Sequence, residues 1–269
     1  MIEIIEDFLL KLVTGIALMW LLMPRKEVTD GFFRIQMLVA LGLCVLLVLV
    51  IHPPAASQES NSLTNAMRTG MRTEAGNDLI RFSQLIAAVI AFAGHIVWKL
   101  GRRWPGAMAI YAVAILCLLS LVTAAFGSGV NFNALNLLLS DLASAAVLGA
   151  TLTGMLLGHW YLTTPTMSIG PLSWFTKALA VAAVGRLLMT SLSLFRFGFA
   201  SHDLVHLVCL ILRIVGGILV PFATAVVVAR ILKYRNTQSA TGVLFAALIL
   251  VFMGEMTAAL LERDLRIPY

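Results

Sequence analysis

Apolar runs of about twenty residues alternate along this chain with short polar turns, at roughly 6–23, 31–51, 79–100, 105–126, 136–160, 172–195, 204–231 and 240–262. A hydrocarbon core of about 30 Å takes about twenty helical residues at 1.5 Å rise to cross. The pattern predicts an all-α, polytopic integral membrane protein, a bundle of about eight transmembrane helices forming one domain over 1–269. The only long polar stretch, 52–78, is rich in Ser, Asn, Thr and Gly and reads as an outer surface loop. Pro105 and Pro171 stand in the first turns of spans four and six, where a missing N–H costs nothing. Pro221 instead lies inside span seven, just after Gly216 and Gly217, so span seven is expected to kink.

Two short strings hint at a repeat. LVTAAF closes span four and EMTAAL closes span eight, about half the chain apart. A repeat of four spans would give parallel halves, because an even number of crossings returns the chain to the same side.

Composition agrees with the pattern: 60% of residues are hydrophobic and 12% charged, with a mean hydropathy of +0.96. Soluble domains carry about 25% charged residues. The spans and their turns use nearly the whole chain, leaving no length for a soluble catalytic domain. The net charge of +6 does not point to nucleic acid, because the basic residues cluster at helix ends as orientation signals do. Arg25, Lys26 and Arg34, then Lys99, Arg102 and Arg103, then Arg230, Lys233 and Arg235 mark alternate turns, which places both termini outside, in a bacterial-type inner (plasma) membrane. Arg68, Arg72 and Arg81 oppose that bias, beside Glu59, Glu74 and Asp78. The start MIEIIED lacks the basic region of a cleavable signal, so insertion is expected to rely on the spans. Cys44, Cys117 and Cys209 fall in apolar runs and read as small core residues. Trp98, Trp104, Trp160, Tyr161 and Trp174 read as an aromatic belt at the inner interface.

Ionisable groups within spans carry the chemical information, since each costs about 2.5–3.5 kcal/mol to insert unless paired or hydrated. Lys11 and Asp141 lie toward outer span ends and read as snorkelling interface residues. Arg186, Arg213 and Glu255 lie deeper, in spans six, seven and eight, and should meet as a buried ion pair with surplus positive charge. That surplus suits an anionic ligand, haem propionates or a quinone carbonyl. The competing reading is a salt-bridged staple joining three helices.

Among the five histidines, His95 and His159 approach the inner ends of spans three and five, each preceded by Gly. Two imidazoles at equal depth on separate helices are what bis-histidine ligation of b-type haem requires. His52 and His206 form a possible second pair at the outer side. His202 and His206, spaced i, i+4, form a possible metal pair, to which Met67 and Met71 would hand Cu(I). No CxxCH, nucleophile elbow, phosphate loop or HExxH is present. The sequence therefore favours a membrane subunit of an electron-transfer assembly with haem b or quinone, alongside other membrane subunits in the lipid bilayer. An enzymatic role would be as part of a membrane oxidoreductase complex. The alternatives are a transporter of a small anion or metal ion using the Arg186, Arg213 and Glu255 group, or a ligand-free accessory subunit.

Overall fold

In lipid the backbone has to satisfy its own hydrogen bonds, so each apolar run closes into a helix. The computed structural model describes residues 2–51, 74–126, 132–164, 166–198 and 204–265. These residues form a bundle of eight rods without strands: α1 (Ile2–Leu22), α2 (Asp30–Val50), α3 (Glu74–Lys99), α4 (Arg103–Phe126), α5 (Phe132–Thr163), α6 (Gly170–Phe197), α7 and α8 (Thr237–Leu265). The rod α7 has three parts, Leu204–Ile214, a π turn at Val215–Leu219, and Val220–Lys233. Outward faces carry large apolar side chains such as Leu49, Phe82, Val89, Ile115, Val181 and Leu188, a surface that lipid covers. The molecule is an integral membrane protein, with seven of these helices long and apolar enough to cross a bilayer.

The eighth, α1, differs for a structural reason. Its first ten residues hold Glu3, Glu6, Asp7 and then Lys11 follows, yet every residue from Leu9 to Ala17 is buried. It is the central helix, packed on α2, α4, α5 and α8, and its polar groups face protein instead of lipid. Near its start, Arg263 Nε lies 3.8 Å from Glu3 Oε2, so both ends of the chain lie at one end of the bundle.

Helices α1–α4 and α5–α8 repeat one packing scheme. α1 packs on α4 as α5 packs on α8, α2 on α3 as α6 on α7, and α3 on α4 as α7 on α8, while α1 and α5 cross each other. The crossing is glycine on glycine: a Cβ on Gly15 would stand 2.9 Å from the Gly149 nitrogen, and one on Gly149 2.7 Å from the Gly15 Cα. Residues 134 positions apart occupy equivalent places. Asp7 matches Asp141, Gly15 matches Gly149, Cys117 matches Val251, Leu121 matches Glu255, and the α3–α4 and α7–α8 turns coincide. Ser83 and Ser120 share a 2.6 Å hydrogen bond between their hydroxyls; their counterparts Gly217 and Gly254 touch through the backbone, a Cβ on Gly254 lying 2.7 Å from the Gly217 Cα. The longer α5–α6 turn moves the α2–α6 relation to 139 positions, as the matching buried faces of Phe32, Phe33, Gln36 and Met37 with Pro171, Leu172, Phe175 and Thr176 show. The halves are therefore parallel repeats related by an axis along the bundle.

The expected distortion of span seven takes the form of the π turn, where the Val220 N–H donates to the Val215 carbonyl five residues back. Pro221 has no N–H to offer Gly217, the residue four places before it, so the α ladder fails at that point. The wider turn contains one residue more than the matching part of α3. Above it the repeat relation shifts to 133 positions, and Arg213 takes the buried place that Ile80 holds in α3.

Two expectations need correction. Residues 74–78, assigned to the outer loop, begin α3; the other loop residues, Met67 and Met71 included, lie outside the described residues. Of the aromatic belt, Trp104 is exposed, but Trp98 and Tyr161 are buried. Trp98 stacks on Phe33 with ring centroids 4.7 Å apart, because Gly106 opens space for its indole.

Candidate functional site

Lys11, Asp141 and Arg213 each stand nine residues inside the start of their helices, and Glu255 and Arg186 stand ten and eleven residues before the ends of theirs. At 1.5 Å per residue all five lie about 13–17 Å in from the end of the bundle where the chain begins and ends. All five are buried.

The deep group is built from α5, α6, α7 and α8. Arg213 Nη1 donates to Glu255 Oε1 at 2.5 Å, and Arg186 Nη2 stands 3.6 Å from Glu255 Oε2. Ser144 donates to the same Oε2 at 2.8 Å. Arg186 Nη1 donates to Ser140 Oγ at 2.5 Å and to the Ser140 carbonyl at 3.3 Å. Ser140 and Ser144 share a face of α5 by i, i+4 spacing. The bare Cα of Gly217 gives the Arg213 head its place, since a Cβ there would collide with Nη1.

Arg213 is fully buried, yet among the described residues its Nε and Nη2 have no hydrogen-bond acceptor. A guanidinium carries five N–H groups. Three of those on Arg213 are thus directed into protein without a partner, an arrangement that costs about 1–3 kcal/mol per lost bond unless something else accepts.

A second group adjoins the first. Lys11 Nζ lies 2.6 Å from Asp7 Oδ2, 2.8 Å from Asp141 Oδ1 and 3.6 Å from Glu262 Oε2. Asp141 follows Ser140 directly, so the two groups join along α5. This corrects the reading of Lys11 and Asp141 as interface residues: their distance from the helix ends is short enough to snorkel, but α1 is central and has no lipid face at that depth. The deep group by itself keeps the expected surplus, two arginines on one glutamate, but the joined groups do not. Lys11, Arg186 and Arg213 stand against Asp7, Asp141, Glu255 and Glu262, one negative charge in excess when all are ionised. Sequence reading missed Asp7, Ser140, Ser144 and Glu262. The available signals were the i, i+4 pair of Asp7 with Lys11 and the shared spacing of Asp7 to Gly15 and Asp141 to Gly149.

His95 and His159 are not brought together. His95 is half-buried on α3, with Nδ1 3.2 Å from the Arg34 carbonyl on α2, and His159 is exposed on α5. α3 packs on α2 and α4, whereas α5 packs on α1, α4, α6 and α8. The glycines before them serve helix contact and not a macrocycle: a Cβ on Gly94 would lie 3.1 Å from Met37 Sδ, and one on Gly158 2.6 Å from Thr241 Oγ1. His206 Nε2 is 3.5 Å from Asp264 Oδ2; His52 and His202 lie outside the described residues. Among the described residues no three His, Cys, Asp or Glu side chains gather as metal ligands. The three cysteines are free and buried.

Compared with known proteins, the chain matches no family model, no curated protein and no solved structure. The functional reading therefore starts from the charged groups.

Proposed function

We propose that this protein is a membrane transporter of a small anion, held at Arg213 beside Arg186 and Glu255. The observation that carries the reading is the fully buried Arg213, which bonds through one nitrogen and among the described residues keeps Nε and Nη2 without acceptors. A helix staple is complete with the Glu255 contact alone; unmatched donors at mid-membrane depth belong to a site that receives an acceptor from elsewhere. The π turn beside Arg213 supplies a part of the bundle able to change its hydrogen-bond pattern, and a binding site at the middle of a two-repeat bundle is the arrangement on which alternating access operates. In this reading the basic end faces the cytoplasm of a bacterial-type plasma membrane and both termini lie outside, following the bias of Lys and Arg. Haem or quinone binding has no comparable assembly of side chains in its favour among the described residues.

The test uses purified full-length protein in lipid vesicles and measures flux of chloride, nitrate and acetate. Flux of at least one of these, reduced tenfold or more by Arg213→Gln, is the expected result. To separate function from folding, Arg213→Gln/Glu255→Gln removes both charges of the pair and should fold while remaining inactive. Vesicles tight to every anion tested, or flux indifferent to Arg213→Gln, would overturn the proposal, and a Soret band in the purified protein would return attention to the histidines.

A further inference from the structure

Resting on that transport reading, we propose that anion movement is coupled to a proton carried by the carboxylates around Lys11, so that the transporter is a proton–anion symporter. The cluster is more than a set of acids. It encloses a buried ammonium, it continues into the anion site through Ser140 and Arg186, and that site contains the unmatched donors of Arg213.

The charge balance gives the coupling. With every group ionised the four carboxylates exceed the three cations by one, and in a medium poor in water such an excess is removed most cheaply by binding a proton. One proton makes the joined groups neutral. An anion arriving at Arg213 then restores the negative excess and raises the affinity for a second proton. By linkage, that proton raises the affinity for the anion equally. The two ligands therefore travel in a ratio of about one to one.

Geometry supplies the route from water. The side chains of Asp7 and Glu262 are 23% and 25% exposed, near the end of the bundle where the chain begins and ends, while Lys11 and Asp141 are 6% and 5% exposed. A proton from water forms an O–H bond on one carboxylate oxygen of Asp7, Asp141 or Glu262, and Lys11 stays an ammonium. Release breaks that O–H bond and returns the proton to water together with the anion. No electron moves.

Other charges near the cluster are few. α1 also carries Glu3 and Glu6, and Glu3 faces Arg263 of α8. α7 brings His206, paired with Asp264 of α8, and Arg213; α6 brings Arg186. The only charged residue of α4 is Arg103, at the opposite end, where it pairs with Asp30 of α2 at 2.8 Å. Against Thr14 of α1, α4 sets only the Cys117 carbonyl, 3.3 Å away.

The experiment records anion uptake and external pH together in vesicles of the full-length protein, using whichever of chloride, nitrate or acetate the wild type carries. An inward anion gradient should draw protons inward and alkalinise the medium, at about one proton per anion. Asp141→Asn/Glu262→Gln, which leaves three cations against two carboxylates so that a bound anion is neutralised without a proton, should reduce that ratio to near zero and flatten the pH dependence of flux. Infrared difference spectra add a readout independent of transport: a protonated-carboxyl band that grows on adding the anion in wild type and is lost in Asp141→Asn/Glu262→Gln. Anion flux without proton movement, unaltered in pH profile by Asp141→Asn/Glu262→Gln, overturns the coupling and leaves the anion transport standing. Absence of flux overturns both.

Discussion

Leu47, Ile80 and Leu121 of the first half and Arg186, Arg213 and Glu255 of the second occupy matching places in the two repeats, and all six are buried. One half joins these three helices with hydrocarbon, the other with a guanidinium–carboxylate–guanidinium group. The scaffold therefore does not need the charges, since its own first half is held together without them. Differences persist at the neighbouring helix contact, where Ser83, Gln84 and Ser120 form a neutral hydrogen-bonded cluster and Gly216, Gly217 and Gly254 bring backbones together. The Ser83 and Ser120 hydroxyls of the first half are satisfied by one another and by backbone carbonyls, whereas at the matching depth of the second half the Arg213 guanidinium keeps unmatched donors among the described residues. A buried charge group kept where an apolar one demonstrably fits marks function more than stability.

The largest expected effect breaks this comparison by removing one member of the charged group. Glu255→Gln leaves Arg186 and Arg213 without the carboxylate between them and should cost about 3–5 kcal/mol. By contrast, Arg186→Leu/Arg213→Ile/Glu255→Leu, which copies the first half into the second, should stay within about 2 kcal/mol of wild type, because replacing a buried ion group by well-packed apolar residues is often neutral or stabilising. Melting of the purified proteins in the same lipid or detergent measures both. If the triple variant melts as low as Glu255→Gln, the charges are structural and the two halves are not interchangeable; if it is stable and carries no anion, the charges serve transport.

The spans and the meeting of Glu255 with two arginines were legible because hydropathy and depth follow from a count along each helix. What the count could not give was rotation. Lys11 and Asp141 are 130 positions apart and each is close to a helix end, so nothing local distinguishes an interface residue from one facing the bundle axis. The central place of α1 decides it. The repeat was visible only in LVTAAF and EMTAAL, since elsewhere the matched positions exchange one apolar residue for another, and two different turns shift the register. The histidines misled for a related reason: a Gly beside a His opens space equally for a macrocycle or for a neighbouring helix, and here Met37, Ala109 and Thr241 occupy it.

The next effect sharpens the comparison at the π turn. Deleting Val215 gives this stretch of α7 the same number of residues as α3, so the wide turn should close into α-helix while the helix above it keeps its rotation. Arg213 should then stay beside Glu255, in the place that Ile80 holds in α3. A cysteine pair at positions 213 and 255 should therefore cross-link with and without the deletion. Loss of cross-linking in the deletion, as a rotation of about 100° for one residue of α-helix would cause, would mean that the wide turn does not absorb the extra residue and that Arg213 is not the counterpart of Ile80.

The smallest effect lies in the uncharged half. Ser120 receives the Gln84 amide at 2.9 Å, shares a hydrogen bond with Ser83 and donates to the Leu116 carbonyl at 2.9 Å. Ser120→Ala removes the acceptor from Gln84, but Ser83 keeps its 2.9 Å bond to the Ile80 carbonyl. The loss should be about 1 kcal/mol, the usual net worth of such a bond, with membrane-buried pairs averaging about 0.6. Anion flux per folded molecule should not change, because the neutral cluster has no unmatched donor on Ser83 or Ser120 and no charge to exchange. A loss of flux in Ser120→Ala at nearly unchanged stability would show that the two halves work together at the site, and that the division into a scaffold half and a chemical half is wrong.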